Sequence, residues 1–134
     1  MTIFINERDI ATLIGDGHAT MGDFVAAVEA AYTDQGNGDF DILPRQNFEV
    51  EVPASNRKGS LKIGGGSLRG VGVMGASLYS GGYGGKNLWV TLYDTATGKV
   101  LANLHGSYIG QMKTGATAAM AAKHLSRADT KTVG

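Results

Sequence analysis

The sequence predicts an α+β fold, a mainly antiparallel sheet with one N-terminal amphipathic helix and an alanine-rich C-terminal helix. Three observations lead there. Phe48, Val50 and Val52 alternate with Glu49 and Glu51, the period of a half-exposed strand. Residues 87–94 are rich in aromatic and β-branched side chains, and they return through Thr95-Ala-Thr-Gly98 as residues 99–104, a hairpin. Residues 111–125 are nearly all small, with Met112, Met120 and Leu125 among the alanines, and alanine is the strongest helix former. Strand follows strand before that helix, which is a meander and not an α/β alternation.

The other elements follow in order. Ile3, Phe4 and Ile5 suit an opening strand. Asn6 caps a short segment through Ile10, Leu13 and Ile14, which Gly15-Asp16-Gly17 ends. Thr20 with Asp23 three residues on resembles a capping box, with Asp for the usual Glu or Gln. Behind it Phe24, Val28 and Ala31 fall at helical spacing, so this helix has one apolar face and must lie on something. Gln35-Gly36-Asn37-Gly38 stops it. Pro53 closes the strand of Phe48, and Leu61 and Ile63 suggest another short one. Residues 127–131 are polar, and Thr132-Val133-Gly134 restarts an extended run.

Composition narrows the function classes. The chain has 134 residues, 43% apolar and 18% charged, the balance of one globular domain. Twelve basic residues against twelve acidic ones leave no charge excess for a phosphate backbone, so no nucleic-acid partner is expected. The absence of cysteine excludes a disulfide scaffold, a thiol nucleophile and a thiolate metal site. Glu7, Arg8 and Asp9 interrupt any signal-peptide core, and no apolar run approaches the ~20 residues of a membrane span. A cytoplasmic protein without a membrane partner is the expectation.

Glycine is the unusual residue, 21 in all and ten of them within residues 64–85. Gly70, Gly72 and Gly75 spell G-x-G-x-x-G, and Asp94 imitates the ribose-binding acid that follows it in dinucleotide folds. That chemistry needs a helix N-terminus after the third glycine to receive the pyrophosphate. Glycines at 81, 82, 84 and 85 leave no room for one. Strands and tight turns are the reading, and close approach of backbone to a ligand is the other use glycine permits here.

Few residues offer chemistry. His18, His105 and His124 lack metal-ligand spacing, Glu49 and Glu51 read as solvent-facing, and no nucleophile elbow, P-loop or zinc-protease motif occurs. Three cations near the glycine-rich strands stand out. Arg45 follows Pro44 just before the first sheet strand, Lys62 lies between Leu61 and Ile63, and Lys113 opens the alanine-rich helix. A cation in a first helical turn opposes the macrodipole, so Lys113 invites a negative partner such as a substrate carboxylate or cofactor phosphate.

The order of Pro44-Arg45, the glycine-rich strands, Asp94 to Gly98, His105-Gly106 and Lys113-Thr-Gly-Ala through Leu125 resembles the ornithine cyclodeaminase/mu-crystallin family. The resemblance implies a two-domain NAD(P)-dependent enzyme more than twice this length. Its first domain binds substrate and forms a homodimer, and a Rossmann domain begins where this sequence ends. Residues 1–110 would then be the substrate-binding and dimerisation domain. Residues 111–134 would be a connecting helix and the first residues of an absent Rossmann domain. NAD(P) would belong to the full-length protein and not to this chain alone, the catalytic aspartate would lie beyond residue 134, and no metal is implied. Arg45 matches the family's carboxylate-binding arginine. Lys113 replaces an arginine that touches substrate carboxylate and cofactor, keeping the charge without the planar fork. The family's strand lysine falls on Met74, and Lys62 partly substitutes for it. The implied substrate is a 2-amino or 2-imino acid, through cyclodeamination, imine reduction or amino-acid dehydrogenation. A free-standing, non-catalytic dimeric binding module derived from the family is the alternative.

Overall fold

The computed structural model describes residues 1–53, 55–82 and 87–132. Its elements run β1 (Ile3–Ile5), α1 (Glu7–Gly15), α2 (Met21–Asn37), β2 (Phe40–Glu51), β3 (Lys58–Leu68), a 3-10 turn (Arg69–Val71), β4 (Val73–Gly81), β5 (Asn87–Asp94), β6 (Val100–His105) and α3 (Ser107–Leu125). The six strands form one sheet in the order β1-β6-β5-β4-β3-β2. The meander from β2 to β6 is antiparallel throughout, as expected, but β1 joins β6 in parallel. A parallel partner needs a long crossover, and everything between residues 5 and 100 supplies it.

The N-terminal half holds two helices where the sequence predicts one amphipathic helix after a short capped segment. Both are started by side-chain caps. Asn6 accepts from the backbone of Arg8 and Asp9 while Asp9 accepts from Asn6, and Thr20 and Asp23 form the reciprocal pair at α2. Gly38, at φ 83°, ends α2 in the left-handed region that glycine enters without a Cβ penalty.

Two strands are longer than the sequence suggests. β2 starts at Phe40 and continues through Pro44, so Arg45 lies inside the first meander strand and not before it. Pairing runs Leu43 to Gly65 and Gln46 to Ile63, so Pro44 and Arg45 together oppose Gly64. This is a β-bulge, which accommodates a proline inside an edge strand. β3 likewise runs straight through Gly64, Gly65 and Gly66. A Cβ on Gly65 would lie 2.5 Å from the carbonyl oxygen of Gly75, and one on Gly75 would lie 2.8 Å from that of Thr91. Only glycine fits where these backbones approach. Gly70 falls in the 3-10 turn, Gly72 at its C-cap and Gly75 on β4, with no α-helix directly after them, and Asp94 caps the β5–β6 hairpin.

α3 begins at Ser107, four residues before its expected start, with Gly106 as its N-cap. Lys113 therefore sits in the second turn, and the macrodipole argument for a negative partner there falls away. The backbone N–H of Gly106 donates to Leu88 O at 2.6 Å, and a Cβ on Gly106 would touch Leu88 and Val90 at 3.3 Å. The helix turns directly off the sheet because that close seat is available to glycine. The expected extended run at Val133 and Gly134 lies outside the described residues.

Alternate residues on a strand face opposite sides, so the register fixes what each side carries. One side, with Leu88, Val90 and Ala102, lies under the helices. Buried apolar side chains are few among the described residues: Ile10, Val28, Ala102 and Ala116. The other side carries Ile63, Leu78 and Trp89 in one row across β3, β4 and β5. No helix covers it, and Phe48, Leu78 and Trp89 are exposed there.

Candidate substrate cleft

On the helix side, the bulge of β2 and the glycines of β3 leave a gap beneath α2. The cleft there has a volume of about 410 Å³ and is lined by Val28, Ala31, Tyr32 and Gln35 of α2, Phe40, Ile42, Leu43 and Arg45 of β2, Gly64, Gly65, Ser77 and Lys113. Each part has a local cause. The bulge gives Arg45 an unpaired position opposite Gly64. Gly64 and Gly65 leave the floor without side chains, and α3 brings Lys113 to the rim.

Arg45 and Lys113, 68 residues apart in sequence, therefore share one cleft. Among the described residues no ion pair engages either of them, whereas six pairs tie up charges elsewhere. Glu29 of α2 bonds Lys123 at 2.9 Å and His124 at 2.6 Å, and those hydrogen bonds hold its carboxyl below the usual range. Asp41 bonds Arg69 at 2.6 Å and Ser67 at 2.7 Å, with the same consequence. Lys62 is on the cleft side of the sheet, two residues from Gly64, but it does not line the cleft, and its ammonium stands 5.7 Å from the centroid of the Tyr79 ring.

Met74 pairs with Ser67 and Tyr93 on the uncovered side of the sheet, away from Arg45 and Lys113. There it lines a shallow apolar pocket of about 480 Å³ with Leu43, Ala76 and Tyr93. The β4 residue that lines the cleft with the two cations is Ser77, whose hydroxyl donates to Gly64 O at 3.3 Å. Sequence reading passed over Ser77, Tyr32 and Gln35. Counting strand parity across the 3-10 turn, which places Ser77 opposite Gly64, is the signal that finds the first.

The histidines are satisfied or exposed. His105 Nδ1 is 3.3 Å from Glu7 and its ring stacks 4.8 Å from Trp89. No group of three or more His, Cys, Asp or Glu able to hold a metal occurs among the described residues. G-x-G-x-x-G opens no helix that would receive a pyrophosphate, so this glycine pattern is not a dinucleotide fingerprint. No described helix is long and apolar enough to cross a membrane.

Comparison with known proteins bears on the family and the fold. The sequence model of the ornithine cyclodeaminase/mu-crystallin family matches residues 9–134. No curated protein matches the chain by sequence. Among solved structures, a Δ1-pyrroline-2-carboxylate reductase of Thermococcus litoralis, in complex with NADH and L-proline, is similar with a TM-score of 0.79 and 25% identity, over 96% of this chain and 39% of that one. A probable ornithine cyclodeaminase of Bordetella pertussis gives 0.76 and 23% identity, over 95% and 37%. The iminosuccinate reductase of Paracoccus denitrificans, in complex with NAD+, gives 0.74 and 22%, over 97% and 40%. The chain thus spans 37–40% of the length of these proteins.

Proposed function

The chain belongs to the ornithine cyclodeaminase/mu-crystallin family, and from that premise we propose that it is the substrate-binding and dimerisation part of an NAD(P)-dependent enzyme acting on a 2-amino or 2-imino acid. The observation that carries the reading is the convergence of Arg45 and Lys113 on one glycine-floored cleft, both without a carboxylate partner among the described residues. Two such cations suit a small-molecule carboxylate, and holding it fixes the α-carbon for reaction. Residues 1–110 would hold substrate and self-associate, and residues 111–134 would lead into the cofactor-binding part. Lys113 would touch the cofactor as well as the carboxylate, and Lys62 would act beside the cleft. NAD(P), when bound, would accept or deliver the hydride at that carbon.

The experiment is a binding titration of the protein with L-proline and its amide, L-prolinamide. The acid is expected to bind and the amide not. Arg45→Ala and Lys113→Ala should each weaken the acid by roughly 10–100-fold, the range for a charge-assisted hydrogen bond. Equal binding of acid and amide overturns the carboxylate role. The second reading, a non-catalytic dimeric binding module of the same family, draws on lysine standing where an arginine fork is expected. Nicotinamide-dependent turnover of an amino or imino acid in the complete protein would eliminate it.

A further inference from the structure

Arg45 owes its place in the cleft to the bulge, and the bulge rests on the register of β2 at both ends. In the first half of the strand, Phe40 to Leu43 pair with Leu68 to Gly65. In the second half, Gln46 to Glu51 pair with Ile63 to Lys58. The two halves are out of step by one residue, which is taken up where Pro44 and Arg45 together oppose Gly64. The second half has a side-chain pattern to fix it, with Phe48 and Val50 on the uncovered side and Glu49 3.3 Å from Lys58. The first half faces Gly65 and Gly66, which have no side chains to interlock, and a glycine-rich strand specifies register weakly.

Asp41 supplies what the glycines lack. Its carboxylate accepts from Arg69 Nη2 at 2.6 Å, from Arg69 Nε at 3.1 Å and from the Ser67 hydroxyl at 2.7 Å. Ser67 is its partner across the ladder, and Arg69 opens the 3-10 turn with its own N–H on Asp39 O. Exposed ion pairs are generally weak, but a two-pronged arginine–carboxylate contact is the exception. A slip of one residue would turn Asp41 to the other side of the sheet and break all three bonds. Arg45 would then meet Gly64 as an ordinary ladder residue, and Ile42, which lines the cleft, would turn away from it. We propose that Asp41, gripped by Arg69 and Ser67, is a positioning residue that locks the first half of β2 in register and so holds Arg45 in its bulge. Asp41 does not itself line the cleft. The inference rests on the carboxylate role proposed for Arg45 and adds what sets that side chain in place.

The test is a double-mutant cycle read by titration of the protein with L-proline. Asp41→Ala is expected to weaken binding about tenfold in the native background and in Lys113→Ala, because it does not act through Lys113. In Arg45→Ala the same substitution should cost less than about threefold, since the side chain it positions is already gone. A merely structural defect would weaken binding equally in all three backgrounds. Arg69→Gln removes the fork and leaves Asp41 in place, so it should give the same pattern even if Asp41→Ala folds poorly. A loss that persists in full in Arg45→Ala, or no loss from either substitution, overturns the positioning role and leaves the carboxylate site standing. Failure of the native protein to bind L-proline, or of Arg45→Ala to weaken it, overturns the site itself and the inference with it.

Discussion

At Gly64 an added methyl group would meet only the Ser77 hydroxyl, 3.9 Å away, whereas at Gly65 it would lie 2.5 Å from a carbonyl oxygen that cannot move without breaking the sheet. Neighbouring glycines thus do different work. Gly65→Ala should destabilise the protein by about 1–3 kcal/mol, the usual cost of overpacking, read as a lower urea midpoint. Gly64→Ala should leave the midpoint almost unchanged yet weaken ligand binding, because its methyl group fills the cleft floor. Equal effects of the two on stability would refute this division. The cations of the site were legible as residue types, Arg45 beside Pro44 and Lys113 at the head of an alanine-rich run. Ser77 was not. Its place beside Arg45 and Lys113 depends on strand register across the turn at residues 69–71, and one residue's slip would send it to the other side. Met74 shows the converse, being assigned by motif order to a site that the register gives to Ser77.

Helix starts were legible where a side chain makes the cap and illegible where backbone does. Thr20 and Asp23 announce α2, and their hydrogen bonds, 2.6 Å between hydroxyl and carboxylate, hold the Asp23 carboxyl below the ordinary value. The sign follows: a depressed folded-state pKa contributes stability that is present above the unfolded value near pH 4 and is lost as pH falls through the lower folded value. Asp23→Asn should therefore remove part of the acid limb of the stability curve below about pH 4, and Thr20→Ala should cost about 1 kcal/mol at neutral pH. Urea unfolding at pH 7 and at pH 3 checks both, and an acid limb unchanged in Asp23→Asn would contradict the capping account. α3 offers no such cue. Gly106 caps it through backbone alone, and Tyr108, Ile109 and Gly110 are poor helix formers. Contact with Leu88 and Val90 decides the matter, which is tertiary packing overriding local preference. The bulge at Pro44 and Arg45 was hidden for the same reason, since it exists only against Gly64.

The accessible surface of the whole molecule is 9254 Å², against about 6,700 Å² expected of a compact monomer of this mass. Part of the exposed surface is apolar side chains on the side of the sheet away from the helices. Phe4 is 63% exposed, Phe48 60%, Leu78 43% and Trp89 39%, and the rings of Phe4 and Trp89 meet at a tilt of 42° with centroids 5.6 Å apart. Their alternation along each strand is that of a core face, which is why the sequence reads as half-buried strands although these side chains stay exposed. An exposed row of large apolar side chains marks an interaction surface. The proposed dimerisation therefore belongs on this face, with the cleft of Arg45 and Lys113 left open on the other. Leu78→Glu places an unpaired charge in the middle of the row between Ile63 and Trp89. In sedimentation equilibrium the native chain is expected as a dimer and the variant as a monomer, with far-ultraviolet circular dichroism unchanged and L-proline binding kept. A variant that stays dimeric would move the interface elsewhere, and a native chain that sediments as a monomer would end the dimer reading.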